Sequence, residues 1–547
     1  MPTTTTISGQ ITDLFERRIF PGEITIVNGH ISTIKELASA PPVYILPGFI
    51  DAHIHIESSM LVPASFARIA VVHGTVATVS DPHEIANVCG KEGVQYMIDN
   101  SKQSPFKFFF GAPSCVPATG FETAGATLDA TAVAELLHHK DIWYLSEMMN
   151  YPGVLNKDAE VIGKIQAAKG VNKPVDGHAP GLRGSTARDY AAAGITTDHE
   201  CFTLDEALNK VNLGMHILIR EGSAAKNYEA LCELIKLHPE KVMFCSDDKH
   251  PDELMVGHIN EVVKRSIHKG YDLYDVLRAA CVNPVLHYKL PVGLLRVNDP
   301  ADFIVADNFS DLNILQTYIN GLLVAEKSKT LLPVITGTLI NNFKAKEKEV
   351  KDFQIKATVI NPIIRVIEAI EGQLVTKELQ MQAKVAEGYI VSDTERDVLK
   401  IAVVNRYQPD APVAVGFIKN FGLKSGALAS TVAHDCHNIV VVGANDVTIC
   451  KAVNELIRCK GGIAVAKSND ESEIMPLPVA GLMSLDEGYA VAAAYARIDK
   501  MAKDMGTALH APFMTLSFMA LLVIPSLKLS DKGLFDGEKF VFTSVEV

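Results

Sequence analysis

Tryptophan occurs once in 547 residues, and the nine cysteines include no C-x-x-C pair. An odd, scattered set of this kind fits free thiols in a reducing cytoplasm better than a disulfide framework or a thiolate zinc site. Their default role is that of small buried hydrophobes. Basic charge is also short. Fifty-one Lys and Arg against 64 Asp and Glu leave a net charge of −13, the wrong sign for a chain that binds by neutralising phosphates, so a nucleic acid partner is not expected. Neither a G-x-G-x-x-G fingerprint nor a Walker motif occurs, which argues against an open doubly wound nucleotide-binding sheet. The opening MPTTTTISGQ lacks the basic-then-apolar pattern of a secretory signal. The most apolar late stretch, FMTLSFMALLVIP from Phe513 to Pro525, falls short of the roughly 20 residues a membrane span needs and carries Thr515 and Ser517, so it reads as buried core. The expectation is a cytoplasmic protein with no membrane partner.

What is present points to several domains. A chain of this length exceeds what one core supports, and 48% hydrophobic with 21% charged residues is a globular composition. From about residue 45 one pattern recurs: a short β-branched or aromatic run, a polar cluster, then apolar residues every three or four positions. The runs are YILPGFIDAHIH, GTVATVSDP, KFFFGAPS, DIWYLSEMM, KPVDGHAPG, GITTDHE, MHILIREGS and KVMFCSDDKH. Eight strand–helix units predict an α/β chain built on a (β/α)8 TIM-type barrel over 49–286, with its chemistry at the C-terminal ends of the strands. Segments 1–48 and 287–337 carry strand-like pieces such as GEITIVNGHISTI and DFIVAD, which predict one small β-sandwich-like domain assembled from both flanks. After the charged run KAKEKEVKD at 344–352, a solvated linker or exposed helix, residues 338–547 mix strands (NIVVVGAN, GGIAVAK) with helices (GYAVAAAYARIDKMAKDM) and predict a C-terminal α/β domain.

The strand ends carry the functional signal. In a strand, residues i and i+2 share a face, so His53 and His55 can reach one ion together. Run four ends in Glu147, run five in His178, run six in His199 and run eight in Asp247-Asp248. His53, His55, Glu147, His178, His199 and Asp247 thus form a six-donor set for two divalent cations bridged by a carboxylate. Nitrogen and oxygen donors without sulfur suit Mn²⁺, Fe²⁺ or Zn²⁺. Such metals lower the pKa of water from ~16 to around 7 and make hydroxide available as a nucleophile. Within Asp198-His199-Glu200, alternation sets His199 opposite its neighbours, and its choice rests on the need for a second imidazole. Asp247 is expected as ligand and proton acceptor and Asp248 as a substrate contact. A lone Glu147 between WYLS and MMN would be costly without a positive partner.

These residues resemble the amidohydrolase superfamily. PGFIDAHIHIESSM, DPHEIANVCG, GHAPGL, TTDHE, REGSAAKN, CSDDKHPDEL and HDCHNIVVVGAN are similar, more narrowly, to bacterial-type adenine deaminases along nearly the whole chain. The resemblance implies hydrolytic deamination of adenine to hypoxanthine and ammonia, hydroxide attacking C6 of the purine at a binuclear centre, manganese first and iron or zinc as alternatives. It implies the same six metal ligands, with Asp247 and Glu147 catalytic, and a homo-oligomer such as a dimer. Where hydantoinase-like and dihydroorotase-like relatives place a carbamylated lysine on strand four, YLSEMM offers Glu147. The rival readings are a cyclic-amide hydrolase and an inactive barrel serving as a binding subunit.

Several motifs keep two readings. His83 and Glu84 are candidate substrate contacts, yet Asp81, Pro82 and Glu84 also make a helix-capping pattern. Glu57 faces either the pocket or a helix start, and Ser58 or Ser59 can cap the helix that follows. Arg220, Glu221 or Ser223 offers substrate contacts or a capped turn, with Ser223 the candidate binding residue. His434-Asp435-x-His437 is either a hydrogen-bonded turn or a loop that closes over the barrel mouth.

Overall fold

The computed structural model describes residues 4–547. Eight strands follow the expected order: β1 (Phe49–Ile54), β2 (Thr75–Ser80), β3 (Lys107–Ala112), β4 (Ile142–Met148), β5 (Val175–Gly177), β6 (Thr197–Asp198), β7 (His216–Arg220) and β8 (Val242–Cys245). All pair in parallel, β1 to β5 in one run and β6 to β8 in a second. The Thr196 amide, donating to Val175 O at 2.9 Å, joins the runs. The ring closes just past β8, where the Asp247 amide donates to His53 O (2.9 Å) and the His55 amide donates to Asp247 O (3.2 Å). Strands β1, β2 and β8 are buried at every position, as expected where helices cover one face and packed side chains fill the other. The intervening helices start on capping residues: Asp129 accepts from the Ala132 amide, Asp158 from Glu160 and Val161, and Thr203 from Glu206.

The first apolar run is two strands, where periodicity reads one. Tyr44–Pro47 pairs antiparallel with Phe303–Ala306, outside the barrel, and β1 begins after Gly48. The reason is steric. A Cβ at Gly48 would lie 2.3 Å from Val76 Cγ1, so the chain passes against β2 only with no side chain at the crossing. The pairing of Tyr44–Pro47 with Phe303–Ala306 joins strands from both flanks into one eight-stranded sheet. This sheet has its own apolar cluster, with Ile11, Ile24, Ile26 and Ile31 from one flank and Phe303, Val305 and Tyr318 from the other.

Beyond residue 338 a second eight-stranded sheet has Val398–Val404, Ile439–Gly443 and Ala427–Ser430 at its centre, and helix Asp446–Cys459 packs on it through Ile449, Val453 and Leu456. KAKEKEVKD contributes only one 3-10 turn, Val350–Phe353, to regular structure. The apolar stretch from Phe513 forms helix Pro512–Ser517 and the turn Phe518–Ala520, both buried. Among the described residues no helix is long and apolar enough to cross a membrane, and all nine cysteines are free, seven of them buried.

Replacing Gly48 with Ala is expected to cost about 1–3 kcal/mol of stability through overpacking against Val76, read as a lower denaturation midpoint. An unchanged midpoint would show that the Gly48 crossing has slack.

Candidate metal centre and active site

All six expected ligands converge at the C-terminal mouth, each no more than 5% exposed. His53 and His55 share the inner face of the β1 end, with Nε2 atoms 3.4 and 3.1 Å from Asp247 Oδ1. Glu147 ends β4 and divides its two oxygens. Oε1 lies 3.4 Å from His55 Nε2, whereas Oε2 lies 2.8 Å from His178 Nδ1 and 3.2 Å from His199 Nε2. The His53 and His199 rings stack at 4.2 Å between these groups. One carboxylate therefore lies between imidazoles from the β1 end and imidazoles after β5 and β6, with His53 itself 4.0 Å from Oε2.

Asp247 takes a left-handed backbone conformation, φ 56°, which an L-residue other than Asn or Asp adopts at a cost. The turn lets its main chain complete the barrel seam while Oδ1 faces the histidines and Oδ2 accepts from Arg220 at 2.8 Å. Arg220, at the end of β7, also holds Glu200 through both guanidinium branches. Burial disfavours charge on Asp247, but the Arg220 guanidinium and the two histidines hold its carboxyl well below the usual range. Burial likewise opposes charge on Glu147, and His178 overrides it, bringing Glu147 well below the usual range. Against the same desolvation, neighbouring carboxylates raise His178 to about 9 and hold His55 well above its ordinary value.

The donor set fits divalent metal. Both ring nitrogens of His53 and Nε2 of His178 are buried without a hydrogen-bond partner. Ligand atoms of His53, His55 and Asp247 lie within 4.8 Å of one another, as do those of His53, Glu147 and His199, and of His178, His199 and Glu200. Orphaned imidazole nitrogens facing ionised carboxylates are what a bound cation would satisfy.

The pocket above these ligands has a floor from the barrel and a ceiling from the C-terminal domain. Asp248, His83 and Glu84 line it from below, and Leu374, His434, Asp435, Phe518 and Leu521 from above, around a cavity of about 20 Å³, room for about one water molecule. The 434–437 loop therefore reaches the barrel mouth. Glu84 does not complete a capping box. Its carboxylate turns away from the start of helix His83–Ser101 to meet His434 Nδ1 and His437 Nε2, and Pro82 is the N-cap. Asp81 keeps the local role, accepting from the His83 amide at 3.1 Å. His83 lies between Asp81 and Glu147, 3.1 and 3.6 Å from their oxygens. Glu57 sits beneath and accepts from the Ile85 amide at 3.2 Å, its carboxyl pushed up to about 7 by burial. Ser58 donates to Asp248. Ser223 does not line the pocket. Its hydroxyl accepts from the His250 amide at 2.9 Å while its own amide donates to Asp248 O at 2.8 Å, so its hydrogen bonds brace the Asp248 turn.

Glu200, Arg220 and the three ceiling apolar residues are the parts that pattern reading misses or leaves open. The run TTDHE contains the signal for Glu200 only when Arg220 is known to face it. Asp198 takes the other direction, accepting from Lys210 at 2.7 Å outside the pocket.

Comparison with known proteins agrees with this geometry. Residues 44–324 match the amidohydrolase family, and residues 373–541 match the adenine deaminase C-terminal domain. An adenine deaminase of Salinibacter ruber is 53% identical over 544 residues, covering 99% of both chains. Those of a Sulfurovum species and of Methanosarcina mazei are 55% and 52% identical, covering 97% and 98% of each chain. The chain belongs to the adenine deaminase family. In this family member the amidohydrolase barrel supplies the charged donors, and the C-terminal domain covers them.

Because His55 and His178 hold protons above their usual pKa in the metal-free protein, metal must displace those protons. Affinity of the chelated protein for Mn²⁺ is expected to rise with pH between about 6 and 9, with proton release measurable by calorimetry. A pH-independent affinity would remove these histidines from the ligand set. Glu147→Gln is expected to lower the bound metal per chain, measured by elemental analysis.

Proposed function

We propose that this chain deaminates adenine to hypoxanthine and ammonia at a binuclear divalent metal centre, with manganese the preferred metal and the cytoplasm the place of action. The observation that carries the reading is Glu147, whose Oε1 faces His55 while Oε2 faces His178 and His199, with His53 at 4.0 Å from Oε2. Full-length similarity to adenine deaminases supports the substrate. The all-nitrogen-and-oxygen donor set suits Mn²⁺ or Fe²⁺.

His53, His55 and Asp247 would hold one cation and His178 and His199 the other, with Glu147 between them. When bound, such ions lower the pKa of water from ~16 to around 7. The residues of the chain do the rest. Water adds its oxygen to C6 across the C6–N1 bond of the purine, the C6–N6 bond breaks, N6 leaves as ammonia, and of the two water protons one ends on N6 and the other on N1. Asp247, ionised and facing the histidines through Oδ1, accepts the proton of the attacking water and delivers it to N6. Arg220 on Oδ2 keeps that carboxylate oriented throughout. Asp248, fixed by Ser58, and His83 present polar atoms to the ring nitrogens, while Glu84, a candidate contact by sequence, is held by His434 and His437 at the pocket wall. Leu374, Phe518 and Leu521 exclude bulk water from the purine face.

Chelated protein reconstituted separately with Mn²⁺, Fe²⁺ and Zn²⁺ is expected to release ammonia as adenine absorbance falls. No ammonia with any of the three would reject the reading. Asp247→Asn is expected to lower kcat by about 10² to 10⁴, the range of general acid–base catalysis, and a wild-type rate in that variant would exclude Asp247 as the proton carrier.

A further inference from the structure

Lys528 is a fully buried amine that the chemistry above does not use. It lies on strand Leu527–Ser530, behind the pocket ceiling. Burial pushes its pKa down to about 7, with no carboxylate acting against that shift. An unpaired amine in such a position is costly, and an apolar side chain of the same length would fill the space. The amine adds two hydrogen bonds, donated to Leu374 O at 2.6 Å and to Phe518 O at 3.0 Å. Either protonation state retains N–H donors for them.

Both acceptors belong to residues that line the pocket, and they come from different segments. Leu374 precedes strand Thr376–Gln382, and Phe518 opens the turn Phe518–Ala520. Thr376 reinforces the first junction, its hydroxyl donating to Leu527 O at 2.8 Å and its amide to Pro525 O at 3.0 Å. At the second, the Phe518 ring stacks on His434 at 4.8 Å and 18°, and His434 is held from below by Glu84. The two ceiling segments are thus tied to each other at Lys528 and to the barrel at Glu84.

We propose that Lys528 is the positioning residue of the substrate ceiling, locking Leu374 and Phe518 into one apolar wall against which the purine ring packs. This deepens the adenine reading and rests on it. The pocket as it stands has room for about one water molecule, so the wall must yield to admit the ring, and release of either carbonyl changes its fit to the ring before it changes the metal ligands beneath. Lys528 touches neither substrate nor metal donors, so its effect belongs to binding.

The test compares Lys528→Met, Lys528→Gln and Leu374→Ala in the metal-reconstituted full chain, with adenine turnover, metal content and melting temperature measured for each. Lys528→Met is expected to raise KM for adenine about tenfold while kcat stays within about threefold and metal content is unchanged, the pattern of lost uniform binding. Lys528→Gln, which keeps an N–H donor, is expected to recover part of that loss. Combined with Leu374→Ala, either variant is expected to raise KM by less than the product of the single effects, because both act through one wall. If Lys528→Met does not accumulate as folded protein, the Lys528→Gln cycle decides. Unchanged KM, a fall in kcat alone, or strictly multiplicative effects in the cycle would overturn the proposal. A wild type that never deaminates adenine rejects the activity itself, and this inference with it.

Discussion

The main-chain seam of the barrel closes through one residue. Asp247 exchanges main-chain hydrogen bonds with His53 and His55, and the same three side chains meet 3.1 to 3.4 Å apart. Closure and ligand placement are therefore one event. A parallel barrel needs its last strand to register against its first, and here that register sets the distance between the donors on both strands. The left-handed turn at Asp247 makes the two duties compatible, since it leaves both the amide and the carbonyl of Asp247 for the seam while the carboxylate turns inward.

Around that seam many carboxylates are packed into a dry place. Their charge is offset by pairing rather than by solvent. Arg220 sits between Glu200 and Asp247, and Lys210 between Asp198 and Glu206, so the acids that flank the centre are balanced from the barrel side. Glu147 and the other oxygen of Asp247 face inward, where histidines stand opposite. Removing one partner of such a network would leave a buried charge uncompensated in a low dielectric, which is why Arg220, bonded to Asp247, is as much a part of the site as the ligands themselves.

The C-terminal domain is not an appendage. Glu84 turns its carboxylate away from its own helix end to hold His434 and His437, and that choice brings a loop from a distant part of the chain over the mouth. A barrel mouth alone is open to solvent. The apolar side chains of Leu374, Phe518 and Leu521 convert it into a covered pocket of the kind that strengthens electrostatic interactions within it.

Much of this was legible in the chain itself. Eight apolar runs each ending in polar residues specify a barrel, and His53, His55, Glu147, His178, His199 and Asp247 could be picked out as candidates at the run ends because the barrel's polarity is a local rule, although periodicity did not choose His199 and Asp247 over their neighbours. The split at Gly48 was not legible, since it depends on the distance to Val76, a residue on the neighbouring strand. Nor was the role of Glu84, whose capping spacing is satisfied on paper but whose partners lie in another domain, or of Ser223, whose hydroxyl is taken by the His250 amide. By itself the sequence determined the fold class, which short-range periodicity encodes, and offered candidate donors at the run ends, where the choice of His199 and Asp247 among their neighbours rested on chemistry rather than spacing. Only the tertiary structure decided how the charges balance and what covers the pocket, because Arg220, Glu200, Leu374 and Phe518 acquire their roles from neighbours that no spacing rule brings together.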